Sequence, residues 1–280
     1  MSPVALCTDS SALFPPGVAE RLGVTTVPIA ITLDGEPYDV SEARIDDFYA
    51  SLSAGEKFST SQPSPGDFLD AYGRAAASGA REVLSIHLDA RVSGTASSAE
   101  LAAREAPIPV TVVDTGTVSF GVGVCVRAAA RCVAAGASAT DAAVAARRTG
   151  RRLRNVFVAP AVWGGRVGDV GGWAVLEFRD RAATPLQQCE NVEEAVADMA
   201  RRVREGVDAG GPFRAAVGHA AAVVELAADA LAGSLSRADR ILEVERYRVG
   251  PAVGAHTGAF SFGAFWWPIA TSDREEFTNR

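Results

Sequence analysis

Polar side chains gather in this chain where short apolar runs end: Thr8-Asp9-Ser10-Ser11, His87-Leu88-Asp89, Arg91-Val92-Ser93-Gly94-Thr95 and Asp114-Thr115, with Thr60-Ser61-Gln62-Pro63-Ser64 lying between two such runs. Ser93-Gly94-Thr95 opens a helical stretch. There, free backbone N–H groups and small hydroxyls together suit one carboxylate or phosphate. Ser and Thr are also the best helix N-caps, so an ordinary cap accounts for the same three residues. Turn chemistry explains Pro63 and Ser64 but leaves Thr60, Ser61 and Gln62 without a structural task.

A serine nucleophile needs a base beside it and a third group to orient that base. The chain has no G-x-S-x-G elbow. An acyl- or phosphoryl-transfer or hydrolytic enzyme would therefore pair Ser93 with His256 or His87 through folding alone, and a dispersed histidine is more often a packed residue. Gly164-Gly165-Arg166-Val167-Gly168 lacks the lysine and the strand-to-helix setting of a phosphate loop, and reads as a tight turn presenting Arg166. Cys7, Cys125, Cys132 and Cys189 form no CxxC pair, and with the three histidines they offer no zinc-ligand spacing, so no metal site is expected. Cys125 and Cys132 fall on one helical face as small apolar side chains. Lys57 is the only lysine, which disfavours Schiff-base chemistry, and it is expected at the surface. With 27 basic against 34 acidic side chains, the net charge of −7 repels nucleic acid and anionic lipid. No apolar run approaches the ~18 residues of a spanning helix. A soluble, cytoplasmic protein with no integral membrane segment is expected.

The elements that must position these residues follow from periodicity. Strands are predicted over 4–8, 25–33, 82–88 and 110–114, and helices over 15–22, 45–52 and from Pro65, capped by Ser64 with Asp67 three residues on. Such alternation implies a mostly parallel sheet with helices on both faces, whose ligands sit beyond the carboxyl ends of the strands. Helices over 121–135 and 138–152 break the alternation. The second ends in Arg147, Arg148, Arg151 and Arg152, followed by Arg154, a solvated basic end or an anionic-partner patch. Length and this break predict an α/β protein of two domains. Residues 1–154 would form the N-terminal α/β domain, and 155–280 a smaller α+β domain with a more antiparallel sheet. The latter is predicted to hold strands over 156–159, 174–178, 214–218, 242–248 and 259–269 and helices over 192–207 and 221–235. Phe260, Phe262, Phe265, Trp266 and Trp267 crowd its last strand, either as core or as the lining of an apolar cavity.

Taken in order, Cys7-Thr8-Asp9-Ser10-Ser11-Ala12, Thr60-Ser61-Gln62-Pro63-Ser64, Val92-Ser93-Gly94-Thr95, Val113-Asp114-Thr115, Gly164-Gly165-Arg166-Val167 and Gly254-Ala255-His256-Thr257-Gly258 resemble the motif series of the DegV family of bacterial fatty-acid-binding proteins. The resemblance implies a long-chain fatty acid held between two domains. Its carboxylate would be presented to a separate ATP-dependent fatty acid kinase that makes acyl phosphate for phospholipid metabolism, so the protein would be a carrier with no catalytic residue and no cofactor beyond its ligand. It further implies that Thr60 and Ser93 hold the carboxylate, with His256 close by and Ser61, Gly94 and Thr95 around it. Asp9, Ser10 and Arg166 would serve the site or an interface, and Phe260, Phe262, Phe265 and Trp266 would line the acyl chain. A carrier of another anionic amphiphile is the neighbouring reading, since a fold fixes a site better than a ligand.

About fifteen methylenes at roughly 0.8 kcal/mol each give on the order of 12 kcal/mol gross, against about 1 kcal/mol for each hydroxyl hydrogen bond. On that arithmetic the tail sets affinity and the head group sets orientation. Three positions depart from the family pattern. Gly258-Ala259-Phe260 replaces a Gly-Pro-Gly, Trp173-Ala174 a Lys-Pro pair, and no arginine stands near Gln188-Cys189-Glu190. All three lie in the second half, where chain-length preference and kinase docking would be decided.

Overall fold

The computed structural model describes residues 3–39, 44–159, 173–208 and 211–269, which divide into two compact units. The first, Met1–Arg151 with Val249–His256, begins with β1 (Val4–Asp9), α1 (Val18–Leu22), β2 (Val24–Val27) and β3 (Ala30–Leu33). The 25–33 run, expected as one strand, divides at Pro28, which has no N–H to give to a ladder. Beyond the break, the Ile29 N–H donates to Ser10 Oγ at 2.9 Å. β3 pairs instead with β4 (Glu36–Pro37) and, after α2 (Ile45–Ser53), with β5 (Phe58–Ser61), as a separate antiparallel sheet. Thr60 and Ser61, for which turn chemistry gives no task, therefore close a strand.

Next come α3 (Pro65–Ala77), β6 (Glu82–His87), α4 (Thr95–Glu105), β7 (Val110–Asp114), α5 (Phe120–Ala134) and α6 (Ala139–Arg152). α3 starts as its sequence predicts. Ser64 Oγ accepts from the Asp67 N–H, Asp67 Oδ2 accepts from the Ser64 N–H at 2.7 Å, and Pro65 occupies the first turn. The main sheet runs β2-β1-β6-β7, all parallel. From β1 the chain moves outward to β2 and later returns to β6 on the other side of β1, so the carboxyl ends of β1 and β6 flank the point where strand order reverses. One face packs Cys7 and Val83 against Phe68 and Tyr72 of α3 and Ala99 and Ala102 of α4. α5 packs across β1 and β6 and adds nothing to that cluster, so it covers the second face.

The second unit, Arg152–Arg248 with Thr257–Arg280, holds β8 (Arg154–Val158), β9 (Trp173–Arg179), β10 (Ala182–Cys189), α7 (Val192–Asp208), β11 (Phe213–His219), α8 (Glu225–Leu235) and β12 (Ile241–Arg248). After α9 (Pro251–Thr257) the chain adds β13 (Phe262–Pro268) as a central strand, in the order β10-β9-β8-β13-β11-β12. β11 and β12 are parallel and the other pairs antiparallel, making this a mixed sheet. The chain is thus α/β, with a parallel sheet in one unit and a mixed sheet in the other.

Two placements differ from the sequence reading. Residues Val249–His256 group with the first unit although they follow most of the second in sequence, and carry a helix that periodicity did not mark. The aromatic run splits by alternation: Phe262 and Trp266 sit in the core under α7 and α8, with Phe260 packed against it, while Phe265 and Trp267 point to the other face. Of the proposed acyl-chain residues, Phe262 and Trp266 are core and Phe260 is half-buried against it. Lys57 is exposed as expected; Cys125 is buried and Cys132 half-buried. No helix of the described residues is long and apolar enough to cross a membrane.

Candidate functional site

Three segments of the first unit converge. β5 is anchored by Phe58, whose ring lies 5.0 Å from Tyr38 and 4.6 Å from Phe48 between centroids. Two residues on, the same strand face presents Thr60, whose Oγ1 is 2.8 Å from His256 Nε2. α2 delivers that histidine: Tyr49 OH donates to the Val249 carbonyl at 2.7 Å, and a Cβ on Gly254 would fall 2.3 Å from the same phenol oxygen. Only a glycine lets α9 approach Tyr49 so closely.

Just past Thr60 and the exposed Ser61, Gln62 Nε2 donates to Ser98 Oγ of α4 at 3.0 Å. At the start of α4, Ser93 Oγ and Thr95 Oγ1 are hydrogen-bonded at 2.8 Å, and the Thr95 N–H donates to Ser93 Oγ at 3.3 Å. Gly94, not a hydroxyl residue, occupies the N-cap position. Ser93 is half-buried and Thr95 fully buried. The site thus offers hydroxyls, one imidazole and a helix N-terminus. These residues include no lysine or arginine, a donor set suited to one carboxylate. The Thr60–His256 bond has two forms: the hydroxyl donates to a neutral ring, or the ring N–H donates to the hydroxyl oxygen and frees its proton for a ligand.

A second arrangement lies beneath this one. His87 Nδ1 is 2.8 Å from Asp9 Oδ2, and His87 Nε2 is 2.7 Å from Ser85 Oγ, which accepts from Tyr72 OH at 2.9 Å. The other Asp9 oxygen accepts from the Ser11 N–H and hydroxyl at 3.0 and 2.5 Å. Asp9, Ser85 and His87 are all 0% exposed. The chain resembles a catalytic triad in order only. A neutral imidazole donating to an ionised Asp9 satisfies every donor and acceptor, which is what burial of such groups requires. It ties the carboxyl ends of β1 and β6 together at the reversal of strand order.

These placements sort the sequence candidates. Thr60, Ser61, Ser93, Gly94, Thr95 and His256 all lie on the converging segments. Asp9 is an internal tie, and Ser10 Oγ accepts from the Ile29 N–H. Arg166 lies outside the described residues. The Ser93 pairing with His256 or His87 is not formed: Ser93 bonds Thr95, His256 bonds Thr60, and His87 bonds Asp9 and Ser85. His219, in the second unit, accepts from Arg246 at 3.1 Å, and burial with Arg248 and Arg246 nearby lowers its pKa. The sequence marks Gln62 as lacking a structural task but not its bond to α4, and it gives no sign of Tyr49. A glycine standing where a better helix cap was available was the signal for the first; the second lies about 200 residues from its partner and left none.

Residues 3–268 match the family described as "Uncharacterised protein, DegV family". A DegV domain-containing protein of Streptomyces coelicolor is 33% identical over 269 residues, covering 91% of this chain and 95% of its own. One from Deinococcus radiodurans is 32% identical over 282 residues, covering 95% and 99%. Among solved structures, a DegV family protein from Thermus thermophilus, described for its fatty acid binding, superimposes with a TM-score of 0.84 at 27% identity, covering 96% of this chain and all of its own. By sequence and by fold, this chain belongs to the DegV family.

Proposed function

We propose that this protein is a carrier that binds one long-chain fatty acid, and that it presents the carboxylate to an ATP-dependent fatty acid kinase, which converts it to acyl phosphate for phospholipid synthesis. The observation that carries the reading is the convergence of Thr60 and Ser61, Ser93-Gly94-Thr95 and His256 from three separate segments. The fatty acid binding described for the Thermus thermophilus relative supports it. Thr60, Ser93 and His256 hold the carboxylate in this reading, with Ser61, Gly94 and Thr95 around it. Phe265 is the remaining aromatic candidate for the acyl chain. The protein works in the cytoplasm as a carrier, without a cofactor of its own.

Because the tail supplies most of the affinity, the head-group residues act chiefly on presentation. Delipidated protein loaded with palmitate, mixed with a bacterial fatty acid kinase and ATP, yields acyl phosphate. Thr60→Ala and Ser93→Ala lower that rate more than they lower palmitate binding. Parental rates in both variants would overturn the residue assignment, and turnover of activated acyl esters by the carrier alone would favour an enzyme.

A further inference from the structure

We infer that Gln62 is the positioning residue that keeps the two hydroxyl-bearing loops of the carboxylate site in register, and that Gly94 is a glycine to make room for it. The inference rests on the carboxylate-site reading above and adds to it a residue and a mechanism.

Gly94 has φ −75° and ψ 4°, a conformation open to any residue, so glycine is not there for backbone freedom. Nor is it the best cap, because Ser, Thr, Asp or Asn would serve better. Space explains it. A Cβ at this position would stand 1.9 Å from Gln62 Oε1, 2.6 Å from its Cδ and 2.8 Å from its Nε2. The Gln62 amide therefore lies flat on the first turn of α4, while its Nε2 reaches Ser98, a residue 2% exposed and one turn further along.

Both ends of the segment are otherwise fixed: Thr60 by the β3–β5 ladder and His256, and Ser64 by its reciprocal bonds with Asp67. Gln62 is the one side chain of this segment with a hydrogen bond to α4 among those described. α3 packs against α4 further along and fixes the helices, and Gln62 carries that register to the loop where Thr60 and Ser93 stand. Donors displaced by even a fraction of an ångström lose a carboxylate while still tolerating an ester or an apolar tail.

The three atoms a Gly94 side chain would strike are the far end of one flexible side chain, so Gly94→Ala moves the Gln62 amide and leaves the fold intact. The experiment compares binding of palmitate and of methyl palmitate to wild type, Gln62→Ala, Gly94→Ala, the double variant and Thr60→Val, with thermal unfolding as a control. The acid-to-ester preference falls roughly fivefold in Gln62→Ala, the worth of one hydrogen bond to the head group. It falls equally in Gly94→Ala and no further in the double variant, while the unfolding temperatures stay together and ester binding is unchanged. A purely structural role would move both ligands alike. If Gln62→Ala keeps the parental preference while Thr60→Val loses it, the positioning role is overturned and the carboxylate site stands. If the two single losses add in the double variant, the contact is not their common cause and the role is likewise overturned. If Thr60→Val also keeps the preference, the carboxylate-site reading itself fails.

Discussion

Thr60 Oγ1 and His256 Nε2 stand 2.8 Å apart with 196 residues of chain between them. The contact exists because Val249–His256 returns to the first unit and is clasped there by Tyr49. Tyr49→Phe keeps the ring but leaves the buried Val249 carbonyl unpaired, at a cost of about 1–3 kcal/mol. We expect palmitate affinity to fall in Tyr49→Phe in the same direction as in His256→Ala, although Tyr49 itself belongs to α2. Isothermal titration of the two variants checks this; parental affinity in Tyr49→Phe would separate the clasp from the site.

The Asp9–His87 pair is internal, so its loss is a matter of stability. His87→Ala leaves a buried carboxylate without its donor, typically at a cost of about 3–5 kcal/mol, whereas Asp9→Ala leaves a neutral imidazole N–H unpaired, at about 1–3 kcal/mol. Asp9→Ala and His87→Ala should each lower the urea midpoint accordingly, and the double variant should cost less than the sum of the two. The same burial predicts that Ser85 gives no adduct with a fluorophosphonate in the native protein, as mass spectrometry of the labelled chain would show.

Burial pushes the Cys7 thiol up to about 12 and raises that of Cys125 as well. A thiol whose folded pKa lies above its unfolded value contributes stability that is complete below about pH 9 and is lost as pH rises toward the folded value. The unfolding free energy should therefore decline above pH 9, by up to about 1.4 kcal/mol per pH unit for each such thiol. Cys7→Ala should flatten the decline. In native protein at pH 8, iodoacetamide should modify the half-buried Cys132 before Cys7 or Cys125; tryptic mass mapping reads the order.

How much of this was legible in the sequence varies with the range of the interaction responsible. Ser64, Pro65 and Asp67 announce α3 because a capping box is local, and the strands of the parallel sheet are apolar runs that need no partner to be seen. The antiparallel strand at Thr60 was not visible, since four residues with two serines and a threonine carry little periodicity without β3 alongside. The motif Gly254-Ala255-His256-Thr257-Gly258 marks His256 as a candidate. Its unit was not legible, because the return of Val249–His256 depends on a phenol and a glycine about 200 residues apart. His87 was one scattered histidine among three; only the pairing of β1 with β6 sets it against Asp9.

The division of the aromatic run can be tested by truncation. Phe262 and Trp266 fill the core beneath α7 and α8, so Phe262→Ala and Trp266→Ala should each destabilise by about 3–5 kcal/mol. Phe265 alternates to the other face. Phe265→Leu should change the preference for acyl-chain length more than the unfolding midpoint, as read by competition among fatty acids of different length.

A carrier of this kind holds a fatty acid. Native mass spectrometry of the protein purified from a bacterial host measures that directly, with the released ligand identified after denaturation. The expected result is a species heavier than the bare chain by one long-chain fatty acid, released as the free acid. Protein that is consistently ligand-free and that fails to bind added palmitate or oleate would contradict it.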